Sequence, residues 1–356
     1  LYGDVPLITP ATIAKMLDAV DDEHISLLTI ELADPNGYGR IIRDDQGAIE
    51  AIIEQKDANS DQLKVSEVNT GVMALTTELL NAWLPKIGNQ NAQSEYYLTD
   101  LIAIARRAGY SINSVQPISA SEVEGINSRQ QLATLERAYQ LQLAEQLMAS
   151  GTSLADPARY DQRGTLIAGT DNFIDINCIF EGTVTIGSNV RIGPNCQITD
   201  SRICDGVEIK ANTVIEQSTI GDFAVLGPFA RIRPGTQLGS NTKVGNFVET
   251  KKAIVGNGSK INHLSYVGDA ELGENVNVGA GAITCNYDGV NKHTTEIGDN
   301  SFIGSNSTLV APVSLEEDSF IAAGSTINST VAAGNLAVGR AKQRNIAGWK
   351  RPTKNK

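Results

Sequence analysis

Aliphatic residues return every sixth position through much of the chain's second half. Ile186, Ile192 and Ile198 are followed by Ile203, Ile209 and Ile215, then by Ile220, Leu226 and Ile232, and later by Ile297, Ile303, Leu309, Leu315, Ile321 and Ile327. A helix repeats every 3.6 residues and a strand every two, so one aliphatic per six belongs to neither alone. It fits a short strand and a tight turn, repeated. Three such repeats close one triangular coil with the aliphatics inside, and stacked coils form a parallel β-helix whose backbone hydrogen bonds run from coil to coil. Glycine often follows the aliphatic directly, as at Gly187, Gly193, Gly221, Gly227, Gly298 and Gly304. Glycine and asparagine are expected at the corners, where positive φ is cheap for them. The period slips twice. After Val267 the phase resets to Leu272 and Val278, and "GAGAITCNYDGVNKHTTE" (279–296) does not keep it. Insertions leave a solenoid at a corner, so binding chemistry is expected at this segment, beside His263.

Two other zones precede the repeats. Residues 1–127 read as mixed α/β: "SLLTIEL" (26–32) and "VNTGVMAL" (68–75) are strand-like, whereas "PATIAKMLDAV" (10–20) and "LTDLIAIARRAG" (98–109) have helical spacing. Residues 128–150 predict one long connecting helix, with Leu132, Leu135, Tyr139, Leu143 and Leu147 at steps of three and four and Gly151 as its stop. Residues 151–356 carry the repeats and end in a basic tail, with seven Lys or Arg and no acid from Arg340 to Lys356.

The net charge of −12 argues against nucleic acid or an anionic membrane as partner. No apolar run reaches transmembrane length. Cys178, Cys196, Cys204 and Cys285 show no CxxC pairing and no metal-ligand spacing, and read as reduced thiols of a cytoplasmic protein. The chain opens on Leu1 with no signal peptide, and "LYGDVPLI" reads as a strand already under way that ends at Asp4. Residues upstream of Leu1 are therefore expected.

Taken in order, "LYGDVPLI", "GYGRI", "EVNTGV", "AQSEYYLTD", "SEVEGINSRQQL", "RIRPG", "GNFVETKKA", "HLSYVGDAELGENVNVGAGAITCNYDGVNKH" and "VGR" resemble the bacterial GlmU family from the first residue to the last. The stretch around His263 is the most specific of these. Members of that family are bifunctional N-acetylglucosamine-1-phosphate uridylyltransferases and glucosamine-1-phosphate N-acetyltransferases. The resemblance implies a Rossmann-like nucleotidyltransferase domain over 1–127, here partial, a helical linker over 128–150, and a left-handed β-helix acetyltransferase domain over 151–356. It also implies a homotrimer. The family's glycine-rich GxGTRM phosphate loop has no counterpart in this chain, so uridylyl transfer from UTP to N-acetylglucosamine-1-phosphate is expected to be impaired.

His263 resembles the family's catalytic base, which takes a proton from the sugar 2-amine as that amine attacks the acetyl thioester. An imidazole suits the task because its pKa lies near working pH. By the same resemblance Arg233, Lys251, Tyr266, Asn277 and Lys292 hold glucosamine-1-phosphate, a dianion that needs cations. Ala280, Asn286, Tyr287, Ser305, Ala323 and Arg340 would line the acetyl-CoA groove, with Ala280 and Tyr287 offering backbone N–H groups to the thioester oxyanion. The basic tail is read as a cationic strip for the coenzyme's phosphates. In the first zone Tyr2, Gly3, Asp4, Gly39, Glu54, Asn69, Thr99 and Asn127 resemble the sugar-nucleotide contacts, and Asp4 with Asn127 the Mg²⁺ ligands.

One other reading stays open and a second is set aside. The β-helix could be only structural or regulatory, as in some sugar-nucleotide pyrophosphorylases. A carbonic-anhydrase-type metal site on the same fold would need several clustered histidines, and only His263 and His293 lie among the repeats.

Overall fold

The computed structural model describes residues 1–352 and 354. It divides into two compact units, Leu1–Tyr139 and the chain from Gln140 onward. Lys356, the last cation of the tail, lies outside the described residues.

The first unit is built on a five-stranded mixed sheet, in the order Ile49–Ile53, Arg40–Arg43, Glu67–Ala74, His24–Glu31, Ser111–Val115. His24–Glu31 runs antiparallel to Glu67–Ala74 and parallel to Ser111–Val115. The two strands and two helices expected here form, the helices as Pro10–Asp18 and Asp100–Arg107. Pro10 sits in the first turn of its helix, where its missing N–H costs nothing, and Thr9 caps it by accepting from the Thr12 N–H. Buried Ile25, Leu27, Leu101 and Ile102 form one core cluster of this unit. The expected strand ending at Asp4 does not form; residues 1–9 make turns, and the Asp4 carbonyl accepts instead from the Ile126 N–H. A strand needs a neighbouring ladder, and none of the five strands offers its edge to this segment.

A helix, Arg129–Ala149, carries the chain across the division. Its apolar stripe is only partly buried: Leu135 and Leu147 are covered, but Leu132 and Tyr139 are exposed.

The second unit is a left-handed parallel β-solenoid of about 10 turns. Its first face is an 11-stranded parallel ladder from Thr152–Leu154 to Leu336–Ala337. The aliphatics counted in the sequence point inward and stack in columns. On the first face Ile192, Ile209, Leu226, Val244, Ile261, Val278, Ile303 and Ile321 follow one another in register, all buried. Each such side chain contributes roughly 1.5–3 kcal/mol by leaving water.

The first phase slip has a simple cause. The corner between the second and third faces takes either five or six residues. Steps of five join Ile198 to Ile203, Ile215 to Ile220, and Val267 to Leu272, each turning through a left-handed residue (Asp200, Gln217 and Asp269). The second slip is an insertion. From Ile174 to Ile321 successive inward residues of the first face are otherwise 17 or 18 apart, but Val278 and Ile303 are 25 apart.

Asparagine does occupy left-handed corners, at Asn177, Asn195, Asn212 and Asn306 among others. The glycines that follow the aliphatics have mostly another reason. Gly298 and Gly304 do not have positive φ. A Cβ on Gly304 would stand 2.5 Å from the Ala323 nitrogen of the next coil, and one on Gly298 2.5 Å from the Glu317 nitrogen. These positions need glycine for close approach between coils rather than for backbone freedom. Among the described residues no helix is long and apolar enough to cross a membrane.

Candidate functional site

The strand Lys260–His263 ends at the corner between the first and second faces, and His263 projects there into solvent. The position two residues past each inward aliphatic forms a column up this corner, and His263, Ala280, Ser305 and Ala323 occupy it on four successive coils. One hydrogen-bond ladder links them. The His263 carbonyl accepts from Gly281 N–H (3.1 Å), the Ala280 carbonyl from Asn306 N–H (2.8 Å), and the Ser305 carbonyl from Gly324 N–H (2.8 Å). The Ala323 carbonyl accepts from Arg340 Nη1 at 2.7 Å. Four residues assigned by resemblance to the coenzyme groove, Ala280, Ser305, Ala323 and Arg340, therefore line up directly above His263. The Ala280 N–H has no hydrogen-bond partner among the described residues.

One coil below His263 the same column holds Asn246, which the sequence reading missed. The two residues are partners in the strand register, and His263 Nδ1–H donates to Asn246 Oδ1 over 3.0 Å. In the neutral ring that contact puts the hydrogen on Nδ1 and the lone pair on Nε2, the form a general base requires. Counting two residues on from both Val244 and Ile261 would have found Asn246.

The second face carries the cations. Arg233 and Lys251 stack on adjacent coils: the Arg233 N–H donates to the Thr250 carbonyl, and Ile232 pairs with Thr250. Arg233 also binds Glu249 at 2.6 Å. The Lys292 ammonium, and beyond it the Arg233 guanidinium, hold Lys251 below the ordinary lysine range. Three like charges gathered at an exposed site repel one another, and an anion between them would relieve that repulsion. Above Lys251 in the register stands Gly268, and the Tyr266 hydroxyl lies where its side chain would be, 2.3 Å from the position of a Cβ. Asp269 completes this wall, accepting from the Asn286 amide and standing 3.9 Å from Lys292 Nζ. Asn277 is placed differently: it pairs with Lys260 and Phe302 on the outside of the first face, around the corner from the cations.

The inserted segment carries Asn286, Tyr287 and Lys292. Its ends are brought together by a bridge between Tyr287 and Lys292 and by the His293 N–H donating to the Asn286 carbonyl at 2.9 Å.

In the first unit a cavity of about 450 Å³ is lined by Tyr2, Asp4, Gly37, Tyr38, Thr70, Glu124, Asn127 and Gln131 among others. Asp4 and Asn127, proposed from the sequence as partners, do face one space. Gly3 sits between Tyr2 and Asp4, in a turn. Gly39, Glu54, Asn69 and Thr99 form a neighbouring group. Thr99 Oγ1 donates to Glu54 at 3.2 Å, a Cβ on Gly39 would meet the same carboxylate at 3.2 Å, and the Asn69 N–H donates to the Gly39 carbonyl at 2.9 Å.

A larger groove, about 660 Å³, runs along the third face and is lined by Glu271, Glu296, Glu316 and Glu317 among others. It holds none of the candidate ligand or catalytic residues named from the sequence, and its charge is the wrong sign for a phosphorylated ligand.

Two family models match the solenoid: one described as the GMPPB C-terminal domain over residues 163–246, and one as the hexapeptide repeat of succinyl-transferase over 294–334. Among solved structures, the UDP-N-acetylglucosamine acyltransferase from Campylobacter jejuni is 19% identical, with a TM-score of 0.39, over 52% of this chain and 71% of that one. Whole-chain similarity is much higher. The protein named "Bifunctional protein GlmU" from Marinobacter nauticus is 59% identical over 99% of this chain and 78% of its own length. Its namesake from Cellvibrio japonicus is 57% identical over the same shares, and that from Pseudomonas putida 52% identical over all of this chain and 78% of its own. With more than three quarters of each relative covered at over half identity, the chain belongs to the bifunctional GlmU family.

Proposed function

We propose that the second unit transfers the acetyl group of acetyl-CoA to the 2-amine of glucosamine-1-phosphate. The observation that carries this is His263, held by Asn246 with Nε2 open, at the foot of the Ala280–Ser305–Ala323 column, on a solenoid whose second face gathers a cluster of cations. Arg233, Lys251 and Lys292 take the sugar phosphate, and Tyr266 and Asn277 the sugar. As the amine nitrogen bonds to the thioester carbon, its proton passes to His263 Nε2. The C–S bond then breaks, the sulfur takes that proton from His263, and coenzyme A leaves as the thiol. The open Ala280 N–H, with that of Tyr287, faces the oxygen that becomes negative in between. Asn286, Ser305, Ala323 and Arg340 line the coenzyme groove, and the basic tail meets its phosphates.

The working form is a homotrimer. Phe229, Phe247 and Leu264 occupy left-handed corner positions on three successive coils, where the coils below carry asparagine, and all three are exposed. Phe229 and Phe247 stack at 5.3 Å. Bulky residues in this conformation cost about 1–2 kcal/mol each relative to residues that tolerate it. A contiguous apolar ridge of this kind calls for cover, and a second copy would supply it while bringing an Asn277 toward the cations.

The first unit supplies the sugar-nucleotide half. The Asp4 carboxylate and Asn127 amide lining one cavity are hard oxygen donors of the kind Mg²⁺ takes together with nucleotide phosphates. Magnesium bound there would neutralise phosphate charge during transfer of UMP from UTP to N-acetylglucosamine-1-phosphate. Small phosphorylated substrates of this kind place the protein in the cytoplasm.

Incubation with acetyl-CoA and glucosamine-1-phosphate, followed by free thiol, tests the first claim. Steady thiol release that depends on the sugar phosphate is expected. Its absence from a folded protein would make the solenoid a scaffold.

A further inference from the structure

The inserted segment contributes three of the proposed ligand contacts but has little core of its own. Tyr287, Asp288, Gly289, Val290, Asn291 and Lys292 are all exposed, Val290 at 84%. Its shape must come from polar contacts, and three of these converge on one carboxylate. Asp288 Oδ1 accepts from the Val290 N–H at 2.8 Å and the Asn291 N–H at 2.6 Å. Its other oxygen, Oδ2, takes His293 Nε2 at 2.8 Å. The Asp288 N–H donates to the Asn291 carbonyl at 3.1 Å. One side of Asp288 thus folds the tip, and the other fastens it to the returning chain.

We propose that His293 is a positioning residue: its clasp on Asp288 holds the tip of the inserted segment so that Tyr287 and Lys292 face the ligands. Asp288 and His293 flank the Tyr287–Lys292 bridge. At its other end Lys292 stands 3.9 Å from Asp269, a distance too long to set its orientation alone. His293 itself stands on the strand side, where its N–H is anchored to the Asn286 carbonyl at 2.9 Å. The imidazole is therefore the side chain through which the ordered end of the segment grips the tip. Nothing in this arrangement brings His293 to the reacting atoms; it acts through Tyr287 and Lys292. The proposal rests on the acetyl-transfer reading for its kinetic consequence, though not for the clasp itself.

The test compares wild type with His293→Ala and His293→Gln. Steady-state thiol release gives kcat and KM for glucosamine-1-phosphate and acetyl-CoA, and hydrogen exchange with mass spectrometry follows the peptide spanning 286–293. His293→Ala is expected to speed exchange at Val290 and Asn291 about threefold, the scale of one exposed charged contact, and to raise KM for the sugar phosphate severalfold with kcat within about twofold. His293→Gln, whose amide N–H reaches the same carboxylate, should recover most of both. Unchanged exchange in His293→Ala, or no recovery in His293→Gln, would overturn the clasp. Faster exchange with KM unaltered would overturn its role in positioning. If wild type releases no thiol, the acetyl-transfer reading fails, and the exchange data alone still decide whether the clasp exists.

Discussion

His263 and Asn246 face each other on neighbouring coils, with Nδ1 of the imidazole 3.0 Å from the amide oxygen. Because the solenoid repeats its register every coil, the partner that sets the histidine's tautomer lies 17 residues away in the chain and directly beneath it in space.

Removing the two members should have unequal effects. His263→Ala loses the base and should lower kcat for thiol release by about 10²–10⁴. Asn246→Ala keeps the base but frees its ring, and a roughly 10- to 100-fold loss is expected from misplacement alone. Equal activity of Asn246→Ala and wild type would show that the tautomer is set by something else.

Lys251 provides a pH signature. Lys292 and Arg233 disfavour its charged form, so it should deprotonate below the ordinary lysine range. The KM for glucosamine-1-phosphate should then rise on the alkaline side before an isolated lysine would titrate. Lys292→Ala removes the largest repulsion, raises the pKa of Lys251 and should move that limb to higher pH, even as the overall KM increases. Measuring KM against pH for both proteins decides the matter; a limb that stays in place would separate Lys251 from phosphate binding.

Two substitutions probe the coil beneath the site. Ile261 is fully buried two residues before His263, and Ile261→Ala should cost about 2–5 kcal/mol through the cavity left behind. Gly245→Ala would put a Cβ 1.9 Å from the Asn262 carbonyl, forcing apart the strands that carry Asn246 and His263. Chemical denaturation should show both losses, and Gly245→Ala should also lower kcat in whatever fraction remains folded. A fully stable and active Gly245→Ala protein would mean that these coils can separate at no cost.

The apolar ridge predicts assembly. Phe247→Asp places a charge beside Phe229 and Leu264, and sedimentation should show a trimer for wild type and a smaller species for the variant, with far-UV dichroism unchanged. Thiol release should fall with the trimer, because Asn277 lies around the corner from its own chain's cations. A trimeric Phe247→Asp protein would place the interface on another face.

Periodicity alone determined the solenoid. An inward aliphatic every six residues has only one way to be buried by a chain of short strands, so the columns from Ile192 to Ile327 were legible before any coordinates. Family-specific residues around His263 then carried the expected chemistry with them. Tertiary structure decided what depends on stacking. It showed which glycines serve close approach, such as Gly304, because the clash is with a residue of the next coil. It showed that Leu1–Thr9 forms turns, because strand formation depends on a neighbouring edge. It brought Asn246 to His263 and Lys292 to Lys251, and it set Asn277 apart from the cations. Such relations follow from the rise of one coil onto the next, a distance that local patterning does not encode, and so residues far apart in the chain become partners only once the coils are wound.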